Sequence, residues 1–184
     1  MLNLNFNGMK KLLITMCAML VGMVAFAGNP LSVVNTKVQL KKFMKQEAKA
    51  CLVIDWSQAK FDNKKAAADE FGDDYEFIKK DCAENFIEGF NNETKGIEMR
   101  AEENGATYKF LIIVENLDAF VNAFWGGGRT EAKVWGKLTI IDLSNGDTLA
   151  EVRIDEAEGG SDFVRRESFG ETFAELGETV AKIK

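Results

Sequence analysis

The spacing of the apolar residues changes twice along this chain, and this change constrains the fold more than any other feature. Over residues 74–91, and again over 169–183, apolar side chains recur every three or four positions, which predicts two amphipathic α-helices. Between these segments the apolar period falls to two, which is typical of strands with one buried face. The helical stripes consist of Tyr75, Ile78, Cys82, Phe86 and Phe90, and of Phe169, Phe173, Leu176, Val180 and Ile183.

Four strands are predicted between these helices and one before them. The compact apolar run over residues 50–56 does not alternate, which is typical of a central strand that is buried on both faces. Asn104-Gly105 and Asn145-Gly146 favour two-residue hairpin turns. The four alternating segments are 97–101, 106–117, 131–142 and 148–154.

The predicted order of elements is therefore β-α-β-β-β-β-α. Two amphipathic helices need an apolar sheet face to cover, so we expect an α+β two-layer sandwich with a mainly antiparallel sheet of about five strands and both helices on one face. Residues 38–44 are ambiguous between a strand and a short helix. The polar segment 57–72, the wide connection 118–130 and the acidic segment 156–161 are expected to be exposed connections.

The N-terminal segment has the pattern of an export signal. Lys10 and Lys11 precede an uncharged apolar run, Leu12–Phe26, which ends in the small-x-small pattern of Ala25-Phe26-Ala27. We expect cleavage near Ala27, with Met9 as the functional start. The apolar run is shorter than the roughly 20 residues that a membrane-spanning helix needs, so no membrane span is expected after processing.

Two alternatives to cleavage stay open at this point: a retained N-terminal anchor, and lipidation of Cys17. The bulky Met16 before Cys17, and the apolar run that continues after it, disfavour lipidation. The expected organisation is a signal peptide over 1–27, a flexible leader over 28–37 and a single domain over 38–184. The expected location is the periplasm or the outside of the cell.

Charge and the lack of histidine limit the chemistry that is available. The chain has a net charge of −6, and loss of Lys10 and Lys11 with the signal peptide makes it −8. An acidic surface disfavours binding to a nucleic-acid backbone. The sequence contains no histidine, which removes Ser-His-Asp and Cys-His catalysis and the usual zinc sites. We therefore expect a non-enzymatic protein with no cofactor and no metal.

Two cysteines remain after the predicted cleavage, and an exported protein can oxidise them. Cys51 lies in the predicted central strand, and Cys82 lies on the apolar stripe of the first helix. A disulfide between them is possible if that helix packs on that strand. The alternative is that both are buried free thiols that act as small apolar side chains.

The aromatic pair Phe124 and Trp125 beside Gly126-Gly127-Gly128 is the candidate binding loop for a protein or a sugar. The alternative is that these rings fold back over the open sheet face. The three glycines do not predict a phosphate site, because the run leads into a strand and lacks the GK[ST] ending.

Two groups of acidic residues carry weaker hypotheses. Asp55 and Asp142 each end a predicted strand and could act together in glycan hydrolysis if their carboxyls lay about 5–10 Å apart across a cleft. The alternative is that each caps the adjacent turn. The acidic run 155–162 offers oxygen ligands for Ca²⁺ but lacks EF-hand spacing, so no metal site is predicted there.

Several segments carry a family resemblance. With the C-terminal helix they are Val53-Ile54-Asp55-Trp56-Ser57, Asn85-Phe86-Ile87-Glu88-Gly89-Phe90-Asn91, Leu138-Thr139-Ile140-Ile141-Asp142-Leu143 and Gly160-Ser161-Asp162-Phe163. Over about 38–184 the chain resembles an uncharacterised family of exported Bacteroidetes proteins of unknown function. The resemblance implies export and no assigned activity. Asp147-Thr148-Leu149 also resembles the short O-glycosylation pattern of such proteins, with Thr148 as the acceptor.

These features favour an exported, non-enzymatic domain that binds a protein or a component of the cell envelope. One alternative is a carboxylate-based hydrolase that acts on glycans through Asp55 and Asp142. Another is a carrier of a small apolar ligand, which the fourteen phenylalanines suggest.

Overall fold

The computed structural model describes residues 29–124, 127–161 and 165–184. Within these ranges, eight strands form one mixed sheet. They are β1 (Leu31–Thr36), β2 (Ala48–Asp55), β3 (Lys60–Phe61), β4 (Lys65–Ala66), β5 (Ile97–Arg100), β6 (Tyr108–Phe124), β7 (Gly127–Asp142) and β8 (Thr148–Ser161). The α-helices are α1 (Leu40–Phe43), α2 (Ala67–Phe71), α3 (Tyr75–Glu93) and α4 (Arg165–Ala181), and a short 3₁₀ helix spans Gly72–Asp74.

The sheet runs in the order β1-β8-β7-β6-β2-β5, and the small β3–β4 pair continues along β6 beyond the end of β2. The pairs β1–β8, β8–β7 and β7–β6 are antiparallel, whereas β2 is parallel to both β5 and β6. The α+β class is confirmed, with both long helices in contact with each other and with the sheet. The expected five strands were too few.

The expected hairpin at Asn104-Gly105 was wrong. Strands β5 and β6 do not pair with each other, because β2 lies between them and pairs with both. The non-alternating apolar run in β2 agrees with this position, since Ala50, Cys51 and Leu52 are all buried, as is typical of a central parallel strand. The hairpin predicted at Asn145-Gly146 is confirmed as the connection between β7 and β8.

Residues 28–37, expected to be a flexible leader, include a strand. Over Leu31–Thr36 they form β1, which pairs antiparallel with β8 and begins opposite Ile154. Hydrogen bonds along the edge of β8, together with the burial of Leu31, hold the segment in place. The short-helix alternative for 38–44 is the one observed, because α1 covers Leu40–Phe43.

Other segments expected to be exposed connections are also ordered elements. Residues 57–72 contain β3, β4 and α2, which bury Ala59 and Ala67. Strands β6, β7 and β8 extend through most of 118–130 and 156–161. The predicted strands were too short because each of these strands has a register shift. After the shift, the buried residues Leu117 and Ala157 no longer continue the two-residue period of the buried positions before them.

Helices α3 and α4 cover one face of the sheet and build the core with it. Phe90 of α3 contacts Phe110 of β6 edge-to-face with ring centroids 5.5 Å apart, and Phe173 of α4 stacks on Trp56 at 5.6 Å. The hydroxyl of Thr172 donates to the carbonyl of Ala132 on β7. No helix within the described ranges has the length and apolar character that crossing a membrane requires. The opposite sheet face carries charged and polar side chains and is open.

Candidate binding cleft on the open sheet face

Three neighbouring strands lose their regular register at the same level of the sheet. Strand β6 has an extra residue at Glu115, and the pairing of β7 with β8 shifts between Val134 and Gly136, opposite Glu156, whose φ is +59°. Gly136 allows the strands to approach closely, because a Cβ there would lie 2.3 Å from the carbonyl oxygen of Ile113. Such bulges bend a strand and redirect its side chains, and they are common beside functional sites.

A cleft of about 410 Å³ lies on the open face at this level. Trp135 of β7 and Arg153 of β8 alternate with core residues along their strands, so their side chains lie on the face that the helices do not cover. The complete lining is Gln58, Lys60, Asn63, Glu115, Asn116, Trp135 and Arg153.

Arg153 is held by two carboxylates. Its Nη2 lies 3.1 Å from Oε2 of Glu115, its Nη1 donates to the other oxygen of the same carboxylate at 3.4 Å, and its Nε lies 3.3 Å from Oδ1 of Asp155. Ser32 of β1 in turn donates to Asp155 at 3.1 Å. A guanidinium bound in this way is fixed in position, and its charge is compensated while part of its surface still faces the cleft.

The opposite wall of the cleft is fixed by Asn116. This residue is 6% exposed, and its side-chain oxygen accepts a hydrogen bond of 2.8 Å from the backbone N–H of Asn63. Asp62 and Asn63 have φ values of +50° and +55° and form the turn between β3 and β4. Aspartate and asparagine tolerate this left-handed conformation, so the Asp62-Asn63 pair is a sequence signal for the turn, which the prediction of a simple polar connection missed.

The cleft therefore combines one indole, three side-chain amides, a compensated Arg–Glu pair and Lys60. Amides and ion pairs donate and accept hydrogen bonds at fixed positions, and an indole offers a flat apolar surface. A mainly apolar site with a few polar groups is the usual arrangement for a drug-like ligand. This cleft instead suits a neutral ligand with many hydroxyl groups.

The predicted binding loop lies at the end of a long hairpin. Phe124 is the last residue of β6 and pairs with Gly127 of β7, followed by Gly128, while Trp125 and Gly126 lie outside the described residues. Among the described residues, the last pairing of β7 with β8 joins Thr130 to Ser161, and beyond it β6 and β7 pair with each other. The hairpin is therefore more regular than the wide loop that was expected.

The hairpin also carries an exposed aromatic side chain before its tip. Phe120 is 39% exposed, and the ammonium of Lys133 lies 5.5 Å from the centre of its ring. Lys133 forms ion pairs with Glu156 and Glu158 of β8, and hydrogen bonds to these carboxylates raise its pKa. The acidic run is thus partly neutralised by a lysine, and no group of candidate metal ligands occurs among the described residues.

Of the two alternatives for Cys51 and Cys82, the structure has free thiols and no disulfide. Both cysteines are buried free thiols, and Cys82 belongs to the core cluster between helices and sheet, whereas Cys51 alternates with Ala50 and Leu52 and faces the other side. Burial raises the pKa of both thiols. A sheet layer separates the two side chains, so the structure does not support the bridge.

The structure does not bring Asp55 and Asp142 together. They pair with Ile113 and Tyr108, five positions apart on β6, which corresponds to about 17 Å along the strand. Asp55 accepts a hydrogen bond from the backbone of Ser57, and Asp142 accepts two from Ser144. These hydrogen bonds lower the pKa of both carboxyls. Each aspartate caps its own turn, which is the alternative reading.

The two remaining predictions are O-glycosylation at Thr148 and an internal cavity for an apolar ligand. Thr148 is the first residue of β8 and pairs with Ile141, which leaves it half-buried. Within the described residues, two more pockets of about 610 and 440 Å³ open at the surface around α1. Neither supports the carrier hypothesis, which requires an enclosed apolar cavity.

The comparisons with known proteins identify no family for this chain. No protein-family profile matches it, and no curated protein matches it. Among solved structures it is similar to the PelC dodecamer from Paraburkholderia phytofirmans, with 11% identity, a TM-score of 0.43, and coverage of 81% of this chain and 96% of that one. It is also similar to a putative neuraminyllactose-binding hemagglutinin homologue from Helicobacter pylori, with 6% identity, a TM-score of 0.35, and coverage of 74% and 80%. Likeness at this level carries no functional inference.

Proposed function

We propose that this protein is an exported, non-enzymatic domain that binds a neutral glycan of the cell envelope in the cleft on its open sheet face. The observation that carries the proposal is the arrangement of Trp135 beside the compensated Arg153–Glu115 pair, at the level where β6 and β8 each bulge against β7. The signal-peptide pattern supports export, and it places the domain where envelope glycans occur.

The Arg153–Glu115 pair favours a sugar hydroxyl over an anion, while Lys60 adds one positive charge to the lining. Arg153 already has two carboxylate partners, so an incoming anion has to compete with them, whereas a hydroxyl can add a hydrogen bond to either member of the pair. The indole of Trp135 can stack on the apolar face of a sugar ring. The volume of about 410 Å³ falls in the range of known small-ligand sites.

A second candidate function is docking to an envelope protein through the hairpin tip. The exposed ring of Phe120 and the two-stranded extension beyond Thr130 favour it, because exposed aromatics are enriched at protein interfaces. Phe124 and Trp125 are the residues that this alternative requires.

The test uses the mature protein, residues 28–184, immobilised and exposed to envelope extract before and after protease treatment of the extract. The matched variants are Trp135→Ala in the cleft, Trp125→Ala in the hairpin and Phe77→Ala, which removes an exposed aromatic from α3. We expect retention of protease-resistant glycan by the unmodified protein and by the last two variants, and at least a roughly tenfold loss with Trp135→Ala. Equal retention by all four proteins contradicts the proposal, and a loss confined to Trp125→Ala favours the hairpin.

A further inference from the structure

The charge of this domain is distributed unevenly along the chain. Residues 37–49 contain five lysines and one glutamate, a net charge of +4, whereas residues 50–184 contain 16 basic and 28 acidic residues, a net charge of −12. A cluster of positive charges on an otherwise acidic protein creates a local positive potential, which attracts negatively charged partners. Lys41, Lys42 and Lys45 lie on α1 or directly after it, Lys37 lies between β1 and α1, and Lys49 lies in β2.

Three of these lysines, Lys41, Lys42 and Lys45, line a groove of about 610 Å³ between β1, α1 and the C-terminal end of the described chain. Its apolar surface comes from Val33, Val38 and Leu40. Val33 pairs with Val152, which points into the core, so the groove opens on the helix-covered side of the sheet. Val33 is nevertheless 42% exposed, and Val34 beside it is 67% exposed.

The rim of the groove consists of exposed lysines with uncompensated charge. They are Lys41, Lys42, Lys45 and Lys184. Most other lysines of the described chain have a carboxylate within 4 Å, including the exposed pairs of Lys64, Lys80 and Lys137. The four rim lysines have no such partner among the described residues, so their charge is available to an incoming group.

The backbone beside the groove is also available. Strand β1 is at the edge of the sheet, and within the described residues β8 is its single strand neighbour. An extended segment can add to such an edge through backbone hydrogen bonds while alternate side chains enter an adjacent groove. Gln46 lines a second pocket, which shares Val38 and Lys42 with the groove, and its buried amide nitrogen lacks an acceptor within the described structure. A polar group near this position could accept that hydrogen bond.

We infer that this groove is a docking site for an acidic, extended segment of a partner protein. The segment lies along the outer edge of β1, places apolar side chains on Val33 and Val38, and directs its carboxylates to the lysine rim. The inference is independent of the ligand in the cleft, because the groove and the cleft lie on opposite faces of the sheet.

The test measures fluorescence anisotropy of a fluorescein-labelled peptide of alternating glutamate and valine with the mature protein. A second peptide with lysine in place of glutamate is the charge control. The variant Lys41→Glu/Lys42→Glu reverses the rim, and Lys64→Glu/Lys80→Glu makes the same change of net charge elsewhere. We expect the acidic peptide to bind at least about tenfold more tightly than the basic one, and the rim variant to weaken it by about tenfold or more, with little effect of the control variant.

The binding is also expected to weaken as salt is added, because exposed charges are screened. Circular dichroism of both double variants confirms that they remain folded. Equal binding of the two peptides, no binding at concentrations of about 1 mM, or equal losses in the two variants overturns the inference. Sedimentation with phosphatidylglycerol vesicles tests a lipid ligand. If the vesicles carry down the protein only when Lys41 and Lys42 are present, and no peptide binds, the groove binds lipid and a peptide partner is refuted.

Discussion

Replacement of Gly177 by alanine tests how closely α3 and α4 pack. A Cβ at Gly177 would lie 2.3 Å from the carbonyl oxygen of Phe86, and one at Gly89 would lie 2.1 Å from that of Ala174, whereas ordinary contact begins at 3.4 Å. Both obstructing atoms belong to the backbone and cannot rotate away. The helices therefore have to separate locally by about 1 Å, in a core that is packed to crystal-like density.

The magnitude follows from two opposing effects. Overpacking of a core costs about 1–3 kcal/mol, and the strain falls at the upper end here because backbone must move. Alanine also has a higher helix propensity than glycine, which returns about 1 kcal/mol. We expect Gly177→Ala to lower the free energy of unfolding by about 2 kcal/mol, and the melting temperature by roughly 4–8 °C for a domain of this size.

The assay is urea and thermal unfolding of the mature protein, followed by far-ultraviolet circular dichroism. Gly170→Ala on the same helix is the matched control, because its Cβ would meet the side chains of Asp81 and Asn85, which can move; we expect little change or a small gain. The double variant of Gly89 and Gly177 is expected to cost less than the two single losses combined, since one separation relieves both contacts. Unchanged or increased stability of Gly177→Ala refutes the close helix contact.

Three further predictions concern the rest of the fold. Asn91 bonds both the N–H and the carbonyl of Met99, so Asn91→Leu should lower the free energy of unfolding by about 2 kcal/mol in urea titrations; no loss means that these bonds contribute nothing. Cys51 and Cys82 should react with a thiol reagent after unfolding and not before, and a mass lower by two hydrogens contradicts free thiols. Hydrogen bonds to the ionised carboxylate lower the pKa of Asp142. Asp142→Asn should therefore reduce the urea midpoint above about pH 4, and this reduction should disappear as the pH falls further. An equal reduction at pH values of about 3 and 7 argues against a role for the ionised carboxylate.

The long helices and the main strands could be predicted because each keeps one period over several turns or residue pairs. The stripe from Ile78 to Phe90 and the alternation from Phe110 to Val114 are both buried in one core cluster. Strand neighbours were harder to predict, because β2 is inserted between β5 and β6 by contacts that are distant in sequence. A local turn signal such as Asn104-Gly105 does not contain that information.

The candidate cleft could not be predicted from local patterns. Its residues come from the β2–β3 connection, β3, the β3–β4 turn, β6, β7 and β8, and the bulge at Glu115 breaks the alternation that identifies a strand face. The sequence does contain one signal, since Glu115 follows directly on the apolar run Phe110–Val114 and Gly136 follows Trp135 on the next strand. Isolated glycines within strands often mark bulges or close backbone approach.

The most direct test of the account is an amide and indole NMR titration of the mature protein with protease-treated envelope glycan. If the cleft binds the glycan, the indole N–H signal of Trp135 and the backbone signals of Glu115, Asn63 and Arg153 shift together and saturate, and Trp135→Ala abolishes the remaining shifts. Shifts confined to the hairpin tip or to the lysine groove, with an unchanged Trp135 signal, would contradict the assignment of the cleft as the glycan site.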